Sequence, residues 1–393
     1  MSAFEEQLRS AAQQTKLPPG LSNERNIQFQ SWNVFDAKKQ TWTCVVPTAS
    51  SSFVSNESST TAATAAGAAQ MAGMAPLQRD ATRFTIVTWN VDGFTKPRRA
   101  RMRALLAYIL DSPPDILFLQ EVCREALDMI LSDSRVRAGW FISDTSTDDS
   151  AWHGVPFATL TLLARSRFAN SDGYGDSTSD GQTATLGSPL WRVSLPSRYG
   201  RDALCCDILV QPTKALDGTH EAVPVRLLNV HLDSLPARPS LRPRQLAIAA
   251  ALLRAVALTR YPEGKGLVAG DFNPVQREDQ TLVEECGLVD AWTALHSETD
   301  DPGFTWGVDG QQRFPPNRMD KVALLGLQPM EMEVLHPGSL EPRWRRQMVA
   351  SGGSQEDDYD EEEEDWEERD ARQNTPIPWS DHSGLRLLFR LNI

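Results

Sequence analysis

The chain is poor in the features that staple a fold or anchor it in a membrane. Its five cysteines, Cys44, Cys123, Cys205, Cys206 and Cys286, are an odd number with no CxxC or Cys/His spacing. That argues against a disulfide framework or a zinc site, and for a reducing compartment. The longest apolar run, Leu246 to Leu258, is interrupted by Arg254 and is too short to cross a bilayer. The opening Met1 to Gln7 has neither a basic nor an apolar region, so no secretory signal is expected. No internal repeat is visible. These absences point to an intracellular protein, nuclear or cytoplasmic, with no membrane partner. With 40% hydrophobic and 23% charged residues, the composition is that of a soluble globular chain.

The net charge of -13 is misleading. Glu356 to Asp370 alone holds 12 acids and one Arg; removing it from 39 basic and 52 acidic residues leaves 38 against 40. The rest of the chain is near neutral, and its basic residues cluster. Lys96, Arg98, Arg99, Arg101 and Arg103 form one group, Arg238, Arg242 and Arg244 another. The layout is compatible with a phosphate-rich partner and equally with solvated helix faces.

Residues 1–47 read as an N-terminal segment: a polar stretch that can form a frayed helix, then a β-hairpin over 28–46 around the Asp36 to Lys39 turn. Residues 48–82, rich in Ala, Ser and Thr, carry too few large apolar side chains to offset ordering entropy and read as a disordered linker. Residues 83–393 read as the main folded domain. Strand-like runs fall at 84–89, 115–120, 157–164, 203–210, 225–232, 266–270, 319–325 and 385–392. Helix-like runs fall at 101–110, 241–258 and 281–292. Two stretches interrupt this pattern: a loop insertion at 169–188 and an acidic disordered insertion at 344–375.

Six polar signatures follow or open these runs: Thr88 to Gly93, Leu119 to Val122, His231 to Ser234, Gly270 to Asn273, Arg318 to Lys321, and Ser380 to Ser383. They deliver Asn, Glu, His and Asp side chains to one end of a sheet, where a hard cation and a phosphate ester can be handled. Glu121 ends a buried run and needs a partner for its charge. Mg²⁺ takes oxygen ligands, commonly one or two carboxylates. Asn90 can ligate a cation or donate to phosphate, while Asp92-Gly93 reads equally well as a turn. His231 alone reads as a structural histidine. Asp271 and Asn273, one residue apart, suit a base for water and a donor to a phosphoryl oxygen. His382 can act as a cation if a carboxylate such as Asp320 raises its pKa.

In this order, the signatures resemble the endonuclease/exonuclease/phosphatase superfamily, the DNase-like fold. Within it, Thr88 to Gly93, Leu119 to Val122, Arg201 to Cys205 and Phe304 to Trp306 are similar to the 5′-tyrosyl-DNA phosphodiesterase branch. The resemblance implies a four-layer α/β sandwich of two packed mixed β-sheets flanked by helices. It implies Mg²⁺-dependent phosphodiester hydrolysis, with Mn²⁺ as an alternative ion. Glu121, Asn90, Asp92 and Asp381 would surround the metal. Asp271, His382, His231, Asn273 and Asp320 would be catalytic, and Asn90, Arg201, Asn273 and Trp306 would meet the substrate. The partner would be DNA, with single-stranded or frayed 5′ ends bearing a protein adduct, bound by a monomer. The chain departs from the branch at Asp233, where the branch has Glu, and at Ser383, where it has Trp. The alternatives are another superfamily branch (abasic-site endonuclease, poly(A) nuclease, or phospholipid or inositol phosphate phosphodiesterase) or an inactive binding relative.

Overall fold

Residues 83–90 bury side chains on both faces, and so do the other long apolar runs. A strand of that kind needs cover above and below, which forces a layered architecture. The computed structural model describes residues 3–18, 27–47, 80–146, 152, 154–170, 184–211, 222–256, 262, 264–308, 312–341 and 376–392. The acidic insertion, residues 48–79 of the expected linker and residues 171–183 of the expected loop lie outside them.

The strands in chain order are β1 (Ile27–Gln30), β2 (Trp32–Asp36), β3 (Thr41–Val45), β4 (Arg83–Asn90), β5 (Ile116–Cys123), β6 (Trp140–Ile142) and β7 (Phe157–Ala164). Then come β8 (Phe168–Ala169), β9 (Ala184–Leu186), β10 (Leu190–Ser194), β11 (Asp202–Val210), β12 (Val223–His231) and β13 (Gly266–Asp271). The last are β14 (Val289–Asp290), β15 (Asp320–Leu325), β16 (Leu327–Leu335), β17 (Ser339–Leu340), β18 (Ile377–Pro378) and β19 (Gly384–Leu391). The helices are α1 (Ala3–Gln14), α2 (Arg98–Asp111), α3 (Arg124–Ser132), α4 (Ser134–Gly139), α5 (Arg242–Arg254), α6 (Leu282–Glu285) and α7 (Ala291–His296).

One sheet has nine strands along the path β1-β10-β11-β12-β13-β15-β14, with β8 and β9 beside β11; the other has eight in the order β16-β19-β4-β5-β7-β6-β2-β3. Period-2 alternation divides the side chains among three apolar layers. Phe84, Ile86, Ile116 and Phe118 of the eight-stranded sheet meet Leu204, Leu227, Leu267 and Val322 of the nine-stranded sheet in a shared core. Val87, Trp89, Leu117 and Leu119 face outward onto Met102, Leu105 and Ile109 of α2 and Leu127 of α3. Leu228, Val230 and Val268 face outward onto Leu246, Ala249 and Leu253 of α5. The fold is therefore the expected four-layer α/β sandwich.

The hairpin read at 28–46 is β2–β3, and it is bonded into the main sheets. β2 pairs β6 through Asn33 and Ile142, and β1 pairs β10 from Ile27 to Gln30. The helix read over 281–292 is broken: α6 stops before Gly287, β14 intervenes, and Asp290 caps α7 by accepting from the Trp292 and Thr293 amides. β16, α3 and α4 had no counterpart in the sequence reading.

The topology aligns the functional strands. His231 at the end of β12, Asp271 at the end of β13 and Asp320 at the start of β15 are register partners. Asn90 at the end of β4 is level with Gln120 on β5, and β19 starts beside Thr88. All six signatures thus meet along one edge of the sandwich.

Candidate active site

Below the site lies a neutral polar layer that joins the sheets. Gln120 donates to Asn229 Oδ1 at 2.8 Å and to Thr88 Oγ1 at 3.0 Å. Asn229 donates to the Leu160 carbonyl at 2.9 Å and to the Leu119 carbonyl at 3.3 Å. All three side chains are fully buried. Gly270 lets this layer close: a Cβ there would stand 1.9 Å from the Val230 carbonyl oxygen.

Strict alternation would turn Glu121 toward the helices, as it turns Leu117 and Leu119. A bulge between Leu119 and Val122 prevents this, with Glu121 in the left-handed region at φ 56°. Asp92 and Asn273 are also left-handed, at φ 51° and 46°. Such outliers concentrate where side-chain placement is enforced by the surroundings. Gly93 is needed against the bulge, since a Cβ would lie 2.3 Å from the Glu121 carbonyl oxygen.

Asn90 binds the two halves together. Its amide donates to Asp271 Oδ2 at 3.0 Å and to Glu121 Oε1 at 3.2 Å. The Asn90 carbonyl accepts from Ser380 Oγ at 2.6 Å, and Ser380 Oγ accepts from the His382 amide at 3.0 Å. Asp271 Oδ2 lies 3.5 Å from His231 Nε2 and 4.0 Å from His382 Nε2. Asp320 Oδ2 accepts from His382 Nδ1 at 2.8 Å. Asp271 Oδ1 accepts from the Asn273 amide at 2.9 Å, while the Asn273 side chain donates to the Leu232 carbonyl. The structure thus brings Asn90, Glu121, His231, Asp271, His382, Asp320 and Asn273 into one buried network.

The charges in that network are not all equivalent. Burial pushes Asp271 up to about 7, assisted by Asp320 and opposed by His382. Burial also raises Glu121 and Asp381, and the Asp92 carboxylate adds to both shifts. For His382, burial favours the neutral ring, but Asp320, Asp271 and Asp381 overcome it and hold the pKa well above the ordinary imidazole value. His231 moves the other way, driven down by burial and then by Arg201 and His382. Arg201 Nη2 lies 3.1 Å from His231 Nε2; a guanidinium only donates, so Nε2 accepts and the ring is neutral. The histidines therefore differ: His382 is a cation and His231 an acceptor.

Two expected site residues, Trp306 and Asp92, sit differently from a simple ligand shell. Trp306, read as a substrate contact, donates its indole N–H to Asp381 Oδ2 at 3.1 Å. The Asp92 carboxylate accepts from Arg101 at 2.9 Å and from the Thr95 amide at 3.2 Å. Arg101, one of the clustered cations, is 2% exposed and so neither phosphate-facing nor on a solvated helix face. Of the other clustered cations, Arg98 pairs with Glu125 at 2.6 Å, Arg99 forms an exposed pair with Asp128, and buried Arg242 pairs with Asp279. A charge run in sequence does not reveal which cations fold inward. Gln120, Asn229 and Ser380 were also missed as parts of the site's framework. The readable signal for the first two was a polar residue at an inter-sheet position of an apolar strand.

Among the described residues, no three His, Cys, Asp or Glu groups already stand as an ion cage. The carboxylates of Glu121 and Asp381 nevertheless fit a hard divalent ion that keeps its own waters, and Asn90, whose Oδ1 accepts from the Asp92 amide, stands beside them. Carboxylates raised by burial and mutual repulsion call for such a charge. A cleft of about 440 Å³ opens beside Gly93, Cys123 and Phe157, and another of about 370 Å³ beside Ser380 and Asp381.

The Endonuclease/Exonuclease/phosphatase family profile matches residues 87–382, which include every residue of this network. The chain belongs to that family. It is an enzyme of the phosphoester-hydrolysing kind. TDP2 of D. rerio, solved with a single-strand DNA product, aligns with a TM-score of 0.50 and 18% identity over 78% of this chain and 99% of that one. TDP2 of C. elegans aligns at 0.51 and 20% identity over 78% of this chain and 75% of that one. At those identities the likeness is one of fold. No curated protein matches the sequence. Among the described residues, no helix is long and apolar enough to cross a membrane.

Proposed function

We propose that this family member is a divalent-metal-dependent phosphodiesterase acting on nucleic acid, and that its substrate is a 5′-tyrosyl-DNA end. The observation that carries the chemistry is Asn90, whose amide joins Glu121 to Asp271. It would hold a hard-ion ligand beside a base whose pKa is pushed up to about 7. Glu121, Asp381 and Asn90 would hold Mg²⁺ or Mn²⁺, and Asp92 would lie behind them. The bound ion would place positive charge at a phosphoryl oxygen.

The chain's own residues account for the rest. Asp271, when ionised, takes a proton from water as the water oxygen attacks phosphorus in line. A new phosphorus–oxygen bond forms, and the tyrosyl oxygen leaves with the old bonding pair. His382 stays protonated against Asp320 and faces the negative charge that develops on the phosphoryl group. Arg201 and Asn273 would steady the phosphate. The products are a 5′-phosphate DNA end and a free tyrosyl adduct.

The substrate choice is supported by the sequence resemblance at Thr88 to Gly93, Arg201 to Cys205 and Phe304 to Trp306, and by the DNA product bound to the D. rerio relative. An intracellular monomer meeting single-stranded or frayed 5′ ends fits this reading. A panel of 5′-tyrosyl single-stranded DNA, 3′-tyrosyl DNA, abasic duplex and poly(A) tests it. The 5′-tyrosyl strand should be cut fastest. Faster cutting of abasic duplex or poly(A) assigns the chain to another branch of its family.

A further inference from the structure

Arg101 makes five contacts that no helix-surface residue requires. It donates to the Asp92 carboxylate at 2.9 Å, to the carbonyls of Asp92 at 2.9 Å, Thr95 at 2.6 Å and Val91 at 3.5 Å, and through Nε to Pro378 at 3.0 Å. Pro378 stands three residues before Asp381. One guanidinium therefore ties the first signature to the last from behind, inside the apolar layer under α2. Asp381 and Asp92 are also the carboxylates whose charge Arg101 feels most.

The Asp92 carboxylate that Arg101 holds adds its negative charge to Glu121 and Asp381, the two carboxylates placed to meet the ion. A buried charge without a partner is strongly disfavoured. We propose that Arg101 is a resident cation of the metal site: it occupies the Asp92 carboxylate and offsets its charge behind Glu121 and Asp381, so that the affinity for the divalent ion depends on Arg101. Arg101 is then a positioning residue that acts on the ion through charge. The inference rests on the metal-dependent reading above.

Its test is ion affinity, read from Mg²⁺-dependent thermal stabilisation and calorimetric titration of the full chain at fixed salt. Arg101→Gln keeps a polar side chain and loses the charge; it should tighten Mg²⁺ binding by about tenfold, as an uncompensated carboxylate joins the cluster. Arg101→Lys retains the charge and should bind like wild type. Asp92→Asn removes the opposite charge and should weaken binding. A merely structural Arg101 predicts weaker binding in Arg101→Gln and in Arg101→Lys alike, and that result overturns the proposal. Should Arg101→Gln fail to fold, unchanged or tighter binding in Asp92→Asn overturns it equally. Absence of Mg²⁺ binding in wild type would instead remove the metal reading itself.

Discussion

Gln120 and Glu121 are neighbours in the chain, yet they belong to two buried polar layers of opposite character. The lower layer, Thr88, Gln120, Thr161 and Asn229, is neutral, and the Gln120 and Asn229 amides donate within it and to nearby carbonyls. The upper layer, Asn90, Glu121, His231, Asp271, Asp320 and His382, is charged and internally repulsive. The lower layer locks two sheets at a fixed separation. The upper layer uses that separation to hold groups together that would otherwise move apart or change protonation. A satisfied network specifies geometry, and a strained one concentrates chemical potential where a substrate can release it.

The comparison is broken most severely in the upper layer. Asp271→Asn should lower kcat by about 10²–10⁴-fold, the usual weight of general-base help. Its melting temperature should not fall, because the carboxylate it replaces is already disfavoured by burial. Glu121→Gln should likewise abolish turnover without unfolding. Near wild-type kinetics in Asp271→Asn would remove it from the mechanism. In the lower layer the pattern should invert. Asn229→Leu leaves the Gln120 amide and the Leu160 carbonyl short of partners, at a cost of about 1–3 kcal/mol each. Urea denaturation should show that loss, and an undiminished stability would deny the layer its locking role.

Titration sharpens the contrast, since only the upper layer carries ionisable groups. The rate should rise through about pH 7 as Asp271 ionises. It should fall again only where His382 loses its proton, well above the ordinary imidazole range. Asp320→Asn should move that falling limb down by about 1–3 pH units, the usual effect of one adjacent charge. An unmoved limb would separate Asp320 from His382 function. Both shifts are upward, so the folded chain binds more protons than the unfolded one between the ordinary and raised values. Stability should therefore decline as pH climbs through those windows.

Much of this was legible in the sequence, for identifiable reasons. The eight apolar runs became β4, β5, β7, β11, β12, β13, β15 and β19 because strands buried on both faces leave continuous hydrophobic signatures. The candidate site residues were legible as a group because they sit at the ends of those strands, which the fold brings to one edge. What the sequence hid was set by non-local contacts. Nothing around Glu121 announces a bulge, since the left-handed turn is enforced by the strand pairing with β7. Arg101 reads as one of five clustered cations, and only the approach of the β17–β18 strand pair shows that it points inward. β16 was missed because its outer face is polar and its apolar positions are sparse.

The smallest expected effect concerns the acid-rich block from Glu356 to Asp370, which lies outside the described residues. Its charge is like that of DNA and it precedes Asp381 by ten residues. Deleting residues 352–372 should lower KM for DNA at low salt, with the difference shrinking as salt screens the charges. An identical KM at low salt would leave the block as a solubilising spacer.

The central claim is that water, activated at Asp271, attacks phosphorus and expels the tyrosyl oxygen. Hydrolysis of a 5′-phosphotyrosyl oligonucleotide in ¹⁸O-labelled water, followed by mass spectrometry of both products, tests it most directly. The account predicts one labelled oxygen in the DNA 5′-phosphate and none in the tyrosine. Label in the tyrosine, or no cleavage of this substrate by wild type with Mg²⁺, would contradict it.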